Sequence, residues 1–378
     1  MTRDELLRAH GFDPAAQRLA RVRRREFTLA WLANRGALIA TALALAPAGM
    51  GLLESTVRAI PVRWPAVLLY TYVVLALVRW PLPLLSLYLV RRDARDGLLP
   101  ALPRGLVPRA LRRHLIITAL AIPLFALLYG LEFAPWRETS WNPILYVFFT
   151  GLAEFLYFAH RLGRPRPVEV ELKRRAEELG KRMKMKPPRL LYLESPGRVP
   201  GGAAYLLVWF WEAIVLSRNL RDRLTPRELD VVLAHELAHR KEFWALVVVY
   251  GIRVFGAVVG VGYLLPPLCH LYGIPRFEIG TLPLFLAVCE IALLSVSPLE
   301  RAAVRWAERR ADRMALRATE DPDAFASCMV KLYDGNLIDA APPRTWQLLF
   351  GTHPTGIERV EFARGWNPRP GGSAQSSR

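Results

Sequence analysis

The 378-residue sequence is poor in cysteine and in acidic residues. Its three cysteines, Cys269, Cys289 and Cys328, are widely spaced, which argues against a disulfide framework and against a cysteine-type zinc site. Because 33 acidic residues stand against 51 basic ones, the formal net charge is +18. A basic balance of this size suggests nucleic acid in a soluble chain, but no motif combines basic and aromatic residues as nucleic-acid-binding modules do. We therefore expect no nucleic-acid partner.

Long apolar runs point to the lipid bilayer as a partner instead. Hydrophobic residues make up 53% of the sequence and the mean hydropathy is +0.19, both typical of membrane proteins. A spanning helix needs about 20 mainly apolar residues. Stretches that approach this length are residues 36–53, 66–90, 115–131, 142–159, 244–265 and 282–299. The fourth and sixth are short enough to be buried or re-entrant segments instead.

The arginines predict how the chain is oriented in the membrane. They concentrate before the first apolar run, between the second and third, and after the fourth, whereas residues 132–141 and 270–281 carry little positive charge. Because short cytoplasmic loops are enriched in Lys and Arg, both termini and both long polar segments are predicted to face the cytoplasm. The Ala- and Arg-rich composition favours a bacterial origin, and therefore the bacterial inner membrane.

A capping box at residues 225–228 predicts the start of a helix that carries metal-binding residues. His235 and His239 fall four residues apart on this helix, so both imidazoles can bind one tetrahedral zinc ion. Glu236 lies beside them and can act as general base by taking a proton from water. The alternative is a chance string on a buried helix, but the sequence has only seven histidines. We therefore predict one zinc ion per chain.

A catalytic zinc ion of this type takes three protein ligands and leaves a fourth position for water. The residues just after His239 supply no third ligand, so it must come from a distant part of the chain. Glu308 and Asp312 follow the sixth apolar run and would share one face of a further helix. Glu308 could then bind the metal while Asp312 accepts the free N–H of a ligating histidine. The alternative is an ordinary solvated helix rich in Arg and Glu.

Three motifs together resemble a family of integral-membrane zinc metallopeptidases that includes the type I CaaX prenyl protease and the bacterial protease HtpX. They are His-Glu-Leu-Ala-His at 235–239, Arg305-x-x-Glu308-x-x-Ala-Asp312, and Thr352-His353-Pro354 followed by Arg359. A transmembrane hairpin between the first two motifs is also the family's arrangement. The resemblance implies that Glu308 is the third ligand and that Asp312 supports the site. It also implies that His353 donates to a developing oxyanion and that Arg359 supports the metal-site carboxylates.

The family also places an edge strand with an Asn-Ala motif before its zinc-binding helix, and this strand pairs with extended substrate. The corresponding residues 201–207 lack the asparagine, which is a departure from the family pattern. The resemblance nevertheless implies a substrate-binding edge strand at Ala203, Ala204, Tyr205 and Leu206.

The predicted fold class is a mainly α, polytopic membrane protein with about six transmembrane helices. Its cytoplasmic α+β, zincin-like protease domain is split by a transmembrane hairpin. The predicted parts are a basic N-terminal segment (1–30), a four-helix transmembrane region (31–160), the first part of the protease domain (161–243), the hairpin (244–299), the second part (300–365) and a disordered tail (366–378).

The predicted function is that of a zinc-dependent endopeptidase acting on peptides or membrane proteins. The alternative is a catalytically silent, zinc-containing membrane binding or quality-control factor. The sequence leaves open the oligomeric state and whether substrates are prenylated, as for a CaaX-type rather than an HtpX-type enzyme. Arg79, Glu154, Arg253 and Glu290 lie within the predicted spans and could line an internal chamber. The alternative is that the two arginines extend to the membrane surface or form structural ion pairs with the two glutamates.

Overall fold

A computed structural model describes residues 2–59, 63–99, 102, 104–132, 144, 147, 151, 165–193, 204–207, 213–274 and 279–367. The chain divides into two compact units. Unit 1 comprises residues 1–24, 163–246 and 301–378, and unit 2 comprises residues 25–162 and 247–300. Helices dominate the described residues and a four-stranded sheet accompanies them, which confirms the mainly α fold class.

The helices of the described residues are numbered in chain order. They are α1 (Arg3–Ala9), α2 (Pro14–Ala59), α3 (Arg63–Val78), α4 (Pro81–Arg95), α5 (Leu106–Glu132), α6 (Val170–Arg182), α7 (Arg218–Arg223), α8 (Pro226–His239), α9 (Phe243–Tyr272), α10 (Leu282–Thr319), α11 (Pro322–Gly335), α12 (Arg344–Phe350) and α13 (Gly356–Arg364). Short 3-10 turns cover Arg240–Glu242 and Ile279–Thr281.

The sheet of unit 1 has the strand order β1-β2-β4-β3. Its strands are β1 (Pro165–Pro167), β2 (Arg189–Leu193), β3 (Ala204–Leu207) and β4 (Ala213–Ser217). β4 is buried along its whole length and pairs parallel with β2 and antiparallel with β3. A continuous apolar run such as that of β4 is typical of a strand covered on both faces. Within the described residues, β3 lies at an edge of the sheet beside β4.

Helix α8 lies at the centre of the packing in unit 1. It contacts β3, β4, α6 and α11, and its Leu233 and Leu237 are fully buried. The capping box predicted from the sequence is present at its start. Thr225 Oγ1 accepts from the Glu228 backbone N–H at 3.4 Å, and Glu228 Oε2 accepts from the Thr225 backbone N–H at 2.7 Å. A local signal thus sets where this central helix begins.

Four helical segments are long and apolar enough to cross a membrane, among the residues that the structure describes. They are Pro14–Gly49, Leu68–Arg95, Trp244–Tyr272 and Leu282–Thr319. They contain the fifth and sixth predicted spans and cover most of the first and second. The third predicted span lies within α5, and nearly all of the fourth lies outside the described residues.

Two helices differ in extent from what the sequence predicts. The second apolar run is divided at Arg79 and Trp80 into α3 and α4, because Pro81 has no N–H to continue the first helix. Conversely, α10 is a single helix of 38 residues. Glu308 and Asp312 therefore lie on the same helix as the sixth apolar run, not on a separate one. The Ala-, Arg- and Glu-rich stretch after Pro298 has a high helix propensity and continues the helix.

Ion pairs in unit 2 account for two of the charged residues in the predicted spans. Arg35 Nη1 lies 2.9 Å from Glu290 Oε2, and Arg253 Nε lies 3.2 Å from Glu300 Oε1. Pairing lowers the cost of placing ionisable groups in a membrane. These contacts indicate that Glu290 and Arg253 form structural ion pairs. Their partners, Arg35 and Glu300, were not predicted from the sequence. Glu154 lies outside the described residues.

Candidate metal centre and active site

Two helices of unit 1 bring the three predicted metal ligands together. α8 presents His235 and His239 on one face, and α10 presents Glu308 towards them, so that one donor atom of each lies within 4.8 Å of the others. The two Nε2 atoms are 3.1 Å apart. Glu308 Oε2 lies 3.3 Å from His235 Nε2, and Glu308 Oε1 lies 3.5 Å from His239 Nε2. Glu308 thus joins a cluster with two histidines that lie 69 and 73 positions earlier in the sequence.

The donor set of this cluster fits a zinc ion. Atoms bound to one tetrahedral zinc at about 2.0–2.1 Å lie about 3.3 Å from each other, and the three separations in the cluster are 3.1, 3.3 and 3.5 Å. His235 and Glu308 are buried, and Glu308 Oε2 has no hydrogen-bond donor within the described part of the chain. Because a buried carboxylate oxygen needs a donor or a cation, the residues present match the requirements of a bound metal.

Asp312 lies behind the histidine pair, one helical turn after Glu308. Its Oδ1 is 3.0 Å from His235 Nδ1, and it also accepts a hydrogen bond from the Arg359 guanidinium. Asp312 is 2% exposed and Arg359 7% exposed. A carboxylate facing Nδ1 favours the tautomer in which Nε2 is free to bind metal. Arg359, which was expected near the metal-site carboxylates, contacts Asp312.

Glu236 is buried next to the candidate ligands. Burial in unit 1 raises the pKa of its carboxyl to about 7, with the charge of His235 acting in the opposite direction. Glu236 and His353 line the same cavity, which has a volume of about 260 Å³. Apolar side chains, among them Trp346 and Phe350, line the cavity as well. A carboxyl with a pKa near neutrality in a cleft is suited to proton transfer.

His353 approaches the carboxylate of Glu308, a candidate metal ligand, from a loop between α12 and α13. Its Nε2 lies 3.5 Å from Glu308 Oε2, and its Nδ1 lies 2.9 Å from Thr352 Oγ1. The side chain is half exposed, so it can meet a ligand that enters from solvent. The structure thus places His353 beside the cluster, as the resemblance implied.

The predicted edge strand lies close to the helix that carries the histidines. Ala204, Tyr205 and Leu206 belong to β3, whose backbone contacts α8 and forms an edge of the sheet. Ala203 lies outside the described residues.

Two residues that the sequence did not single out hold the backbone around His353. The hydroxyl of Tyr333 donates to the carbonyl of Pro354 at 2.6 Å, and the Gln347 side chain donates to the carbonyl of His353 at 2.6 Å. No sequence motif marks either residue.

The sequence profile of peptidase family M48 matches residues 168–367, which make up more than half of the chain. The chain belongs to peptidase family M48. The match contains the three candidate ligands, Glu236 and the loop of His353. The resemblance predicted from the three motifs is therefore confirmed. Members of this family depend on a metal ion, and the candidate centre of this M48 chain supplies a matching set of donors.

Individual relatives agree with the family assignment. The Legionella pneumophila (strain Corby) protein named protease HtpX is 30% identical over 171 residues, covering 40% of this chain and 61% of that protein. A Bacillus subtilis (strain 168) protein named uncharacterized metalloprotease YhfN is 26% identical over 163 residues, covering 40% of this chain and 37% of that protein. The chain thus matches less than two thirds of the length of either relative.

The fold of this M48 chain is similar to that of a protein of known structure. The crystal structure of Ste24p from S. mikatae matches with a TM-score of 0.55 and 18% sequence identity, covering 74% of each chain. At this identity the likeness concerns the fold. Together with the candidate spans and the similarity to HtpX, it identifies an integral membrane protein of the mainly α class.

Proposed function

We propose that this M48 protein is a membrane-embedded, zinc-dependent endopeptidase that hydrolyses peptide bonds in peptides or membrane proteins. The observation that carries the proposal is the convergence of His235, His239 and Glu308 beside a buried Glu236. Two neutral imidazoles and one carboxylate form a common ligand set of catalytic zinc. One zinc ion per chain is proposed, held by these three residues.

Zinc at this position would polarise the scissile carbonyl and acidify water. Glu236 is the proposed general base that takes a proton from the attacking water and then delivers it to the leaving amine. Burial raises the pKa of the Glu236 carboxyl above its ordinary value, which favours a group that accepts and then returns a proton. His353 is the proposed donor to the carbonyl oxygen as that oxygen gains negative charge. Asp312 orients His235, and Arg359 compensates the charge of Asp312.

The substrate is proposed to bind as an extended strand along β3. An edge strand offers unpaired backbone groups to a peptide, and pairing of this kind needs no particular side chains. The proposal is supported by the position of β3 at an edge of the sheet and by its contact with α8. A peptide bound there would run close to the helix that carries the general base.

The proposed location is the bacterial inner membrane, with the active site facing the cytoplasm. Support comes from the arginine-rich segments before the first apolar run and between the second and third. Unit 1 combines chain segments that all lie on the predicted cytoplasmic side of the spans.

The experiment that tests the proposed function compares the wild type with Glu236→Gln in detergent. Zinc content is measured by atomic spectroscopy, and cleavage is followed with an unstructured reporter peptide. We expect both proteins to bind about one zinc ion, since Glu236 is not a ligand, and cleavage to fall roughly 10²–10⁴-fold in the variant. Glu177→Gln is the matched control, because Glu177 lies exposed on α6.

Each result of this comparison has a definite meaning. Cleavage by the wild type and by Glu177→Gln, but not by Glu236→Gln, supports the endopeptidase. Zinc binding without cleavage by any of the proteins favours a silent zinc-containing factor. A wild type without zinc contradicts the proposal.

A further inference from the structure

The position of His353 depends on the backbone of its loop. The side chain is 52% exposed, so packing restrains the ring only in part. Thr352, whose hydroxyl lies 2.9 Å from His353 Nδ1, belongs to the same loop and therefore does not anchor it from outside. Because a donor to a developing charge must be preorganised to act, something outside the loop has to hold its backbone.

Arg305 of α10 supplies such a restraint. Its Nη1 donates to the carbonyl of Gln347 at 2.8 Å and to the carbonyl of Gly351 at 2.6 Å, two carbonyls at the C-terminal end of α12. The Gln347 side chain in turn donates to the carbonyl of His353 at 2.6 Å. A chain of hydrogen bonds therefore leads from α10 through the end of α12 to His353.

The backbone at the end of α12 is packed tightly against Gln347. A Cβ atom added to Gly351 would lie 2.3 Å from Gln347 Oε1 and 2.8 Å from the Gln347 carbonyl oxygen. Contacts this short leave no room for a side chain, so glycine permits the close approach. Glycine at this position thus allows Gly351 to lie against Gln347, whose carbonyl Arg305 also binds.

The environment of Arg305 is unusual for a buried cation. Arg305 is 7% exposed, yet no carboxylate in the described ranges lies within 4 Å of its guanidinium. Burying an unpaired charge is costly, and an apolar residue of similar size would avoid the cost. The Arg305 guanidinium donates instead to backbone carbonyls at the end of α12. Such bonding is expected of a residue that fixes the backbone of a neighbouring segment.

Arg305 and Glu308 lie three residues apart on the same face of α10, with an axial rise of about 4.5 Å between them. The helical turn that carries the candidate metal ligand thus also carries the restraint on the His353 loop. We infer that Arg305 is a positioning residue that sets the distance between His353 and the metal centre, with Gln347 as the intermediate link. This inference rests on the proposed function and assigns a role to residues that do not touch the substrate.

A double-mutant cycle tests whether Arg305 acts through His353. Arg305→Met, His353→Ala and the double variant are assayed as purified full-length proteins for kcat, KM and zinc content. We expect Arg305→Met to lower kcat by about tenfold or more with KM and zinc content unchanged, because misplacing a catalytic group affects the reaction step. In the His353→Ala background the same substitution should change kcat by less than about twofold.

Two further variants serve as a conservative replacement and as a control for the lost charge. Arg305→Lys keeps one cationic donor and should recover part of the lost kcat. Arg309→Met is the matched control, because Arg309 is exposed on the same helix and its loss removes the same charge. If Arg305→Met does not fold, Gln347→Met replaces it in the cycle, since Gln347 is the intermediate link and its side chain donates to the His353 carbonyl.

The outcomes separate this inference from the proposed function. If the wild type does not cleave the peptide, the proposed function has failed. If the wild type cleaves but Arg305→Met lowers kcat equally with and without His353, the positioning role is wrong and the endopeptidase stands. Loss of zinc in parallel with kcat would likewise overturn it, since Arg305 would then support the metal centre as a whole.

Discussion

Replacing Asp312 by asparagine would remove one charge from the most buried part of the candidate metal centre. Asp312 Oδ1 lies 3.0 Å from His235 Nδ1 and accepts a hydrogen bond from Arg359. Both members of the Asp312–Arg359 pair are less than a tenth exposed. In Asp312→Asn, Arg359 keeps its charge without a counter-ion, and His235 loses the carboxylate that favours its metal-binding tautomer.

The expected size of each effect follows from this geometry. Removing one partner of a buried ion pair costs about 3–5 kcal/mol, which for a unit of this size lowers the Tm by on the order of 10 °C. Loss of the carboxylate that faces a metal-binding histidine weakens metal binding roughly 10–100-fold. We therefore expect Asp312→Asn to lose both thermal stability and zinc affinity.

Two measurements on the detergent-solubilised protein check this prediction. Zinc affinity is determined by competition with a chelator, and the Tm is measured with and without added zinc. Asp222→Asn is the control, because the Asp222 side chain is 63% exposed. The double variant Asp312→Asn with Arg359→Met should recover much of the Tm, because no unpaired charge remains, but not the zinc affinity. Wild-type zinc affinity in Asp312→Asn would refute the assigned role of Asp312.

Two further predictions concern the stability of unit 1. Glu228→Ala should lower the free energy of unfolding by about 1–2 kcal/mol, because Glu228 completes the cap of α8 and accepts a hydrogen bond from Lys331 Nζ at 2.7 Å. Thermal unfolding measures this loss, and an unchanged Tm would contradict the prediction. Gly356→Ala should destabilise by about 1–3 kcal/mol, because the new Cβ would lie 2.8 Å from the Ala340 Cβ. Gly251→Ala is its control, since nothing lies within 4 Å of a Cβ there. Equal Tm values for the two glycine variants would show that the contact with Ala340 is relieved without cost.

The sequence alone identified the features that depend on neighbours along the chain. The start of α8 follows from a capping box that involves residues three positions apart, and the pairing of His235 with His239 follows from the pitch of one helix. The apolar runs likewise predicted helices that could span a bilayer, because their length is set by the thickness of the membrane. Such signals need no knowledge of the fold.

Tertiary structure decided what depends on contacts between distant segments. The sequence spacing was compatible with Glu308 either as a metal ligand or as a solvated surface residue. The packing of α10 brings its carboxylate within 3.5 Å of both histidines. The partner of Glu290 is Arg35, 255 residues away. No sequence pattern predicted that Arg305 would donate to carbonyls at the C-terminal end of α12. Such contacts form because folding brings together side chains whose separation in the sequence carries no information about their distance in space.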